Sequence, residues 1–214
     1  MLLMAAVVAA YFFGALPTAV IVAKRVGNID IFEAGSGNPG ASNVFRILGP
    51  RWASATLGID VFKGYLPVWL VSKMASELTH PFFAPTELGV LAWVGFAAFL
   101  GHVYSPFLHF KGGKGAATSL GAMFAVAPQA ATLSILAYAV ALYIWKKFAV
   151  ATLVTGLVFP VILFLREGNM EWESLAFGAL VPVLLAFTHR SNIARIIKGE
   201  ELPLSDRDDE KGEN

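Results

Sequence analysis

The chain has 214 residues, 57% of them hydrophobic and 14% charged, with a formal net charge of +1 and a mean hydropathy of +0.65. So low a charged fraction excludes an ordinary soluble domain, and the near-zero net charge gives no basis for a nucleic-acid partner. Cysteine is absent, which excludes disulfides, zinc–thiolate sites and thiol nucleophiles.

Leu2–Ala23 is an uncharged apolar run, long enough to cross a membrane at roughly 20 residues per span. No basic segment precedes it, so it reads as a retained helix and not a signal peptide. Lys24 and Arg25 follow, which puts this end in the cytoplasm and the N-terminus outside. Residues 26–51 form a polar loop. Trp52–Met74 is a second span, with Asp60 and Lys63 one helical turn apart. A third span, about Leu88–Phe107, contains His102, and Lys111 and Lys114 open a second inner loop.

From Gly115 to Trp145 there is no charge. As one helix this stretch reaches roughly 46 Å, too long for one crossing of a roughly 30 Å core and too short for two full spans. Pro128 removes a backbone donor and favours a break there. The reading is a short helix over 116–127 and another over 129–145. Phe148–Leu165 and Trp172–Phe187 complete an all-α, polytopic integral membrane protein with seven transmembrane helices, some short, and a cytoplasmic C-terminus. One embedded domain covers 1–200, and a polar cytoplasmic tail covers 201–214.

Charge placement agrees with this topology. Lys24, Arg25, Arg46, Arg51, Lys111, Lys114, Lys146, Lys147, Arg190, Arg195, Lys198, Arg207 and Lys211 all fall inside. Only Lys73 and Arg166 fall outside, and Lys63 lies within a span, a strong positive-inside bias. No internal repeat is evident, which weighs against a transporter built on inverted repeats.

Three polar stretches then share the cytoplasmic face. The first is GSGNPGASNVFR, Gly35–Arg46. Its glycines and short polar side chains suit a loop whose N–H groups converge on an anion, with Arg46 closing the set. A plain tight turn between helices is the competing reading. The second is GHVYSPFLHFKGGKGAAT, residues 101–118, where Lys114 sits among Gly112, Gly113 and Gly115 just before a helix start. Gly115 follows the lysine where a nucleotide P-loop needs serine or threonine, so an NTPase is disfavoured. Topology-setting charge is the bland account of Lys111 and Lys114, but it gives the glycines no role. The third is THRSNIARIIKGEE, residues 188–201, in which a helical continuation puts His189 and Asn192 on one side. Contact with lipid headgroups competes there.

Together the stretches offer several cations, few carboxylates and many neutral donors, which fits a phosphate-bearing substrate. Asp60 and Lys63 read as a supporting ion pair that helps order the first loop; a proton path or a place in the active site are the alternatives. No spacing suits a metal, and the H-x-x-x-x-D pattern of histidine–aspartate acyltransferases is absent.

GSGNPGASNVFR at 35–46, D-x-x-K-G at Asp60–Gly64, GHVYSPFLHFKGGKGAAT at 101–118 and HRSNIARIIKGEE at 189–201 resemble, in order and spacing, the bacterial acyl-phosphate:glycerol-3-phosphate acyltransferases, the PlsY family. The resemblance covers nearly the whole chain. Ser42 stands where the family usually has threonine, and Phe45 where it has leucine. Thr152 is the only hydroxyl near the position of a frequent family serine.

The resemblance implies a multi-pass enzyme of the bacterial cytoplasmic (inner) membrane. It would move an acyl chain from acyl phosphate to the 1-hydroxyl of glycerol 3-phosphate, giving lysophosphatidic acid and phosphate. The donor is already activated, so no cofactor and no metal are expected; membrane lipid surrounds the chain, and a monomer is expected. Ser36, Lys114, His189 and Asn192 are the expected catalytic residues. Gly35, Gly37, Asn38, Ser42, Asn43, Arg46, His102, Gly112, Gly113, Gly115, Thr118, Arg190 and Arg195 are expected to bind substrate, with Asp60 and Lys63 in support. Direct displacement is expected, against a covalent route through Ser36. The function that competes is transport of an organic phosphate or another anion.

Overall fold

A computed structural model describes residues 1–79, 86–167 and 172–204. The chain is helical throughout the elements so described. These are α1 (Leu2–Gly14), α2 (Thr18–Val22, running on as a π turn over Ala23–Gly27), α3 (Ala41–Leu48), α4 (Pro50–Ser72), α5 (Ala75–Leu78), α6 (Glu87–Val103), α7 (Ala116–Val126), α8 (Pro128–Trp145), α9 (Phe148–Glu167), α10 (Trp172–Thr188) and α11 (Arg190–Lys198). Each stretch assigned to a span is helical. Among the described residues, four segments are long and apolar enough to cross a membrane: Leu2–Gly27, Glu87–Leu108, Pro128–Trp145 and Phe148–Arg166. The tail residues 205–214, with Arg207 and Lys211, lie outside the described residues.

Two proline positions shape the bundle. Pro128 is the first residue of α8, where its missing N–H costs nothing, and α7 ends two residues earlier at Val126. Pro17 does what the first apolar run conceals: it divides the expected single helix into α1 and α2. The carbonyls freed at that break find donors from elsewhere. Ser105 Oγ donates to Ala15 O at 2.6 Å, and Lys63 Nζ donates to Leu16 O at 2.6 Å. Lys63 therefore steadies the α1–α2 break. Leu16 O also accepts from Thr18 N–H at 2.9 Å, so the lysine adds a second donor at the break.

Close helix crossings use glycine in reciprocal pairs. At the α4–α7 crossing a Cβ on Gly64 would strike the Thr118 carbonyl, and one on Gly121 would strike that of Val61. At α1–α6 the pairs are Gly14 against Ala98 and Gly101 against Tyr11. Small residues let backbones approach where no water-driven force holds helices together. The result sets α7 among α4, α6 and α8, with its N-terminus at the polar end of the bundle.

Candidate active site

A cavity of about 210 Å³ opens at that end, lined by all three polar stretches. The short helix α3 brings Ser42, Phe45 and Arg46 to it, because Val44, Ile47 and Leu48 pack the other way against Ala19, Ala23, Ile31 and Ala53. Ser36 and Asn38 line it from the preceding loop, and Lys114 and Gly115 from the loop before α7. His189, Asn192 and Arg195 enter from α11 and its N-cap, and Asp60 and His102 from α4 and α6.

The polar centre is a chain of contacts. The Lys114 ammonium donates to Asn192 Oδ1. Asn192 Nδ2 donates to Glu201 Oε1 at 2.6 Å, and Arg195 Nε donates to Glu201 Oε2 at 3.0 Å. Glu201 is buried, and only its backbone route explains how it arrives. Gly199, at φ +77°, ends α11 in a Schellman turn, with Gly199 N–H on Ile196 O and Glu200 N–H on Arg195 O. The chain reverses and returns Glu201 onto the helix it has just left. Leu202 then lines the cavity, and Pro203 O accepts from Arg46 Nη2 at 3.1 Å. Arg46 also reaches Ser42 O at 3.4 Å and lies over the Phe148 ring.

Burial, reinforced by the Arg195 cation, lowers the Lys114 ammonium to about 8, against the opposing pull of Glu201. Burial and then the Lys114 charge lower His189 to about 4, so its ring is neutral near pH 7. The His189 ring Nδ1 lies 2.9 Å from Leu185 O, which fixes its orientation.

The glycine loops work differently from the expectation. Some of their amides are engaged in bonds within the protein. Ser36 N–H donates to Asn43 Oδ1 at 2.8 Å, Gly37 N–H to Ala34 O and Gly40 N–H to Asn38 O. Gly112 and Gly113 donate to Val103 O and His102 O, pinning the Lys114 loop to the end of α6. A Cβ on Gly113 would meet the His102 ring, so the glycine is needed for approach. Gly35 and Gly37, at φ +57° and +67°, supply the left-handed turns of the first loop.

Several expected binding residues thus lie away from the cavity wall. Asn43 is fully buried and its amide also donates to Ile31 O and Ala34 O, so it organises the loop. Thr118 is buried at the α4–α7 crossing. Arg190 caps Phe187 O and stacks over the Phe187 ring at the exposed surface. Gly35, Gly37, Gly112, Gly113 and Lys63 act behind the wall. Glu201 is the residue the sequence reading passed over; a glycine ending a basic helix, followed by two glutamates, was the available signal.

The cavity also has an apolar lining. Leu57, Ala116, Ala117, Tyr138, Phe148 and Ala149 contribute to it, with Thr152, whose hydroxyl bonds Phe148 O within its own helix. Leu57 is half exposed on the outer face of α4.

The family model described as "Glycerol-3-phosphate acyltransferase" matches residues 4–199. Relatives of that name include the Trichlorobacter lovleyi protein, 38% identical over 90% of this chain and 92% of its own length. The Bordetella pertussis protein is 38% identical over 92% and 89%, and that of Hydrogenovibrio crunogenus 40% identical over 92% and 90%. Two crystal structures of PlsY, an integral membrane glycerol 3-phosphate acyltransferase, share the fold at 29% identity. Its glycerol 3-phosphate form gives a TM-score of 0.83 over 95% of this chain and 96% of that one; its lysophosphatidic acid form gives 0.82 over 95% of each. The chain belongs to the glycerol-3-phosphate acyltransferase family.

Proposed function

We propose that this chain is a membrane-embedded acyltransferase that moves a fatty acyl group from acyl phosphate to the 1-hydroxyl of sn-glycerol 3-phosphate, releasing lysophosphatidic acid and phosphate. The observation that carries this reading is one cavity lined both by the cations Lys114, Arg46 and Arg195 and by apolar side chains. The cations suit two phosphate groups. The cavity is small beside the ~300–1,000 Å³ of ordinary ligand pockets, so the acyl chain runs out along Leu57, Tyr138 and Phe148 into lipid.

In the mechanism we favour, the acceptor 1-hydroxyl oxygen attacks the acyl carbonyl carbon. The carbon–oxygen bond to phosphate then breaks, and the leaving phosphate takes the hydroxyl proton. Lys114 stabilises the charge that builds on the carbonyl oxygen and the leaving group, and Asn192 holds the ammonium in place. Ser36 and Ser42 donate to phosphate oxygens, while neutral His189 orients the donor head. Arg46 and Arg195 hold phosphate as charge-assisted donors. The reading includes seven crossings of the bacterial inner membrane, an outside N-terminus, a cytoplasmic site and action as a monomer. The one-sided basic residues support that orientation.

Purified protein in nanodiscs, given glycerol 3-phosphate and palmitoyl phosphate, is expected to form one lysophosphatidic acid per phosphate released. Phosphate-ester flux into liposomes without acyl transfer would refute the enzyme. Trapping an acyl group on Ser36 would refute direct displacement.

A further inference from the structure

Two carboxylates reach the cavity, Glu201 and Asp60. Glu201 has both oxygens engaged, one by Asn192 and one by Arg195. Asp60 differs. It follows Ala53 and Leu57 down the cavity face of α4 at helical spacing and sits at the buried end, 2% exposed. Lys63 Nζ ion-pairs with Asp60 Oδ1 at 2.7 Å, while another of its three N–H donors serves Leu16 O. Oδ1 is sealed inside that ion pair, whereas the second carboxylate oxygen receives no hydrogen bond among the described residues. His102, also buried, lines the cavity within electrostatic reach of both Asp60 and Lys63. This floor offers the cavity a carboxylate acceptor, while Lys114, Arg46 and Arg195 present only donors.

We propose that Asp60, backed by Lys63 and beside His102, reads the C2 hydroxyl of the acceptor substrate. The assignment rests on the acyltransferase reading above. Glycerol 3-phosphate brings one anion and two hydroxyl donors into a dry cavity, and each donor needs an acceptor. The cations take the phosphate. The C1 hydroxyl must face the acyl donor and loses its proton in the reaction. The C2 hydroxyl keeps its proton, so a fixed buried carboxylate suits it, as a short charge-assisted bond. Phosphate, C2 hydroxyl and the direction of C1 then give three fixed points, enough to select one enantiomer. Lys63 holds one oxygen of Asp60 and leaves the other to the substrate.

The test compares kcat/KM for glycerol 3-phosphate with that for 3-hydroxypropyl phosphate, the same molecule without the C2 hydroxyl. The wild-type protein is expected to prefer the former by about 100-fold or more, because a site built to bond a hydroxyl is left unpaired by the analogue. Asp60→Ala combined with Lys63→Met removes both charges together, and Asp60→Glu keeps the ion pair while displacing the acceptor by one methylene. Both are expected to shrink the preference at least about tenfold and to relax discrimination between the two enantiomers. A purely structural pair would lower turnover of both substrates together and leave the ratio intact, which would overturn the proposal. So would a wild-type protein that uses the two acceptors within about threefold of each other, whatever the variants do. Absence of any lysophosphatidic acid from the wild-type protein would instead refute the acyltransferase reading itself.

Discussion

Glu201 accepts a 2.6 Å hydrogen bond from Asn192, the residue whose amide oxygen receives the Lys114 ammonium. A residue beyond the last regular helix thus sets the position of the cation at the centre of the site. The Schellman turn at Gly199 makes this a local matter, since Glu201 also pairs with Arg195 of the same helix.

Glu201→Gln tests that relay. The amide leaves Arg195 without its charged partner and presents one donor where two donors now converge. Arg195 is a third exposed, so the pair is partly screened and the expected loss is modest, about 1–3 kcal/mol of stability. Activity is expected to fall further than stability alone explains, by at least about tenfold at temperatures where the variant is fully folded. Thermal unfolding and initial rates on one preparation check both.

The pH profile follows from Lys114. Its ammonium titrates near 8, and only the protonated form attracts phosphate and stabilises developing charge. Activity is expected to hold below about pH 8 and to decline above it. His189, lowered to about 4, stays neutral through this range and adds no limb between pH 5 and 8. Rates measured from pH 6 to 10 with saturating donor decide the point: a flat profile to pH 10 contradicts it.

Paired glycine substitutions separate a packed helix crossing from an open helix face. Gly121→Ala drives a methyl into the Val61 carbonyl at the α4–α7 crossing, and is expected to destabilise the fold by about 1–3 kcal/mol or more. Gly58, on α4 also, has nothing within 4 Å of an added Cβ. Gly58→Ala is expected to stabilise by about 0.5–1 kcal/mol through helix propensity. Unfolding in detergent compares the two.

Lys63→Met leaves Asp60 as an uncompensated buried charge and removes one of the donors on Leu16 O. The expected loss is about 3–5 kcal/mol, partly recovered when Asp60→Asn is added. Equal stability of the single and double variants would contradict the pairing.

Much of the architecture was legible because apolar runs, bounding lysines and Pro128 each carry a local physical signal. The break at Pro17 was hidden because the flanking residues are as apolar as a continuous span, so hydropathy does not register it. The polar stretches were legible as a set, but the role of each residue was not. Asn43 and Ser42 are adjacent and both polar, yet one is turned into the loop and the other into the cavity. Gly112 and Gly113 read as anion cradles by composition; only their packing on His102 and Val103 explains them as approach points. Glu201 looked like part of a solvated tail, since a reversal at Gly199 changes its neighbours without changing its composition.

The most direct measurement places wild-type and Lys114→Met protein side by side in nanodiscs with glycerol 3-phosphate and palmitoyl phosphate. Wild-type protein is predicted to release lysophosphatidic acid and phosphate in equal amounts, and the variant, folded by its unfolding curve, to be slower by at least about 100-fold. Acyl transfer by Lys114→Met within about tenfold of wild type would contradict a site centred on this lysine.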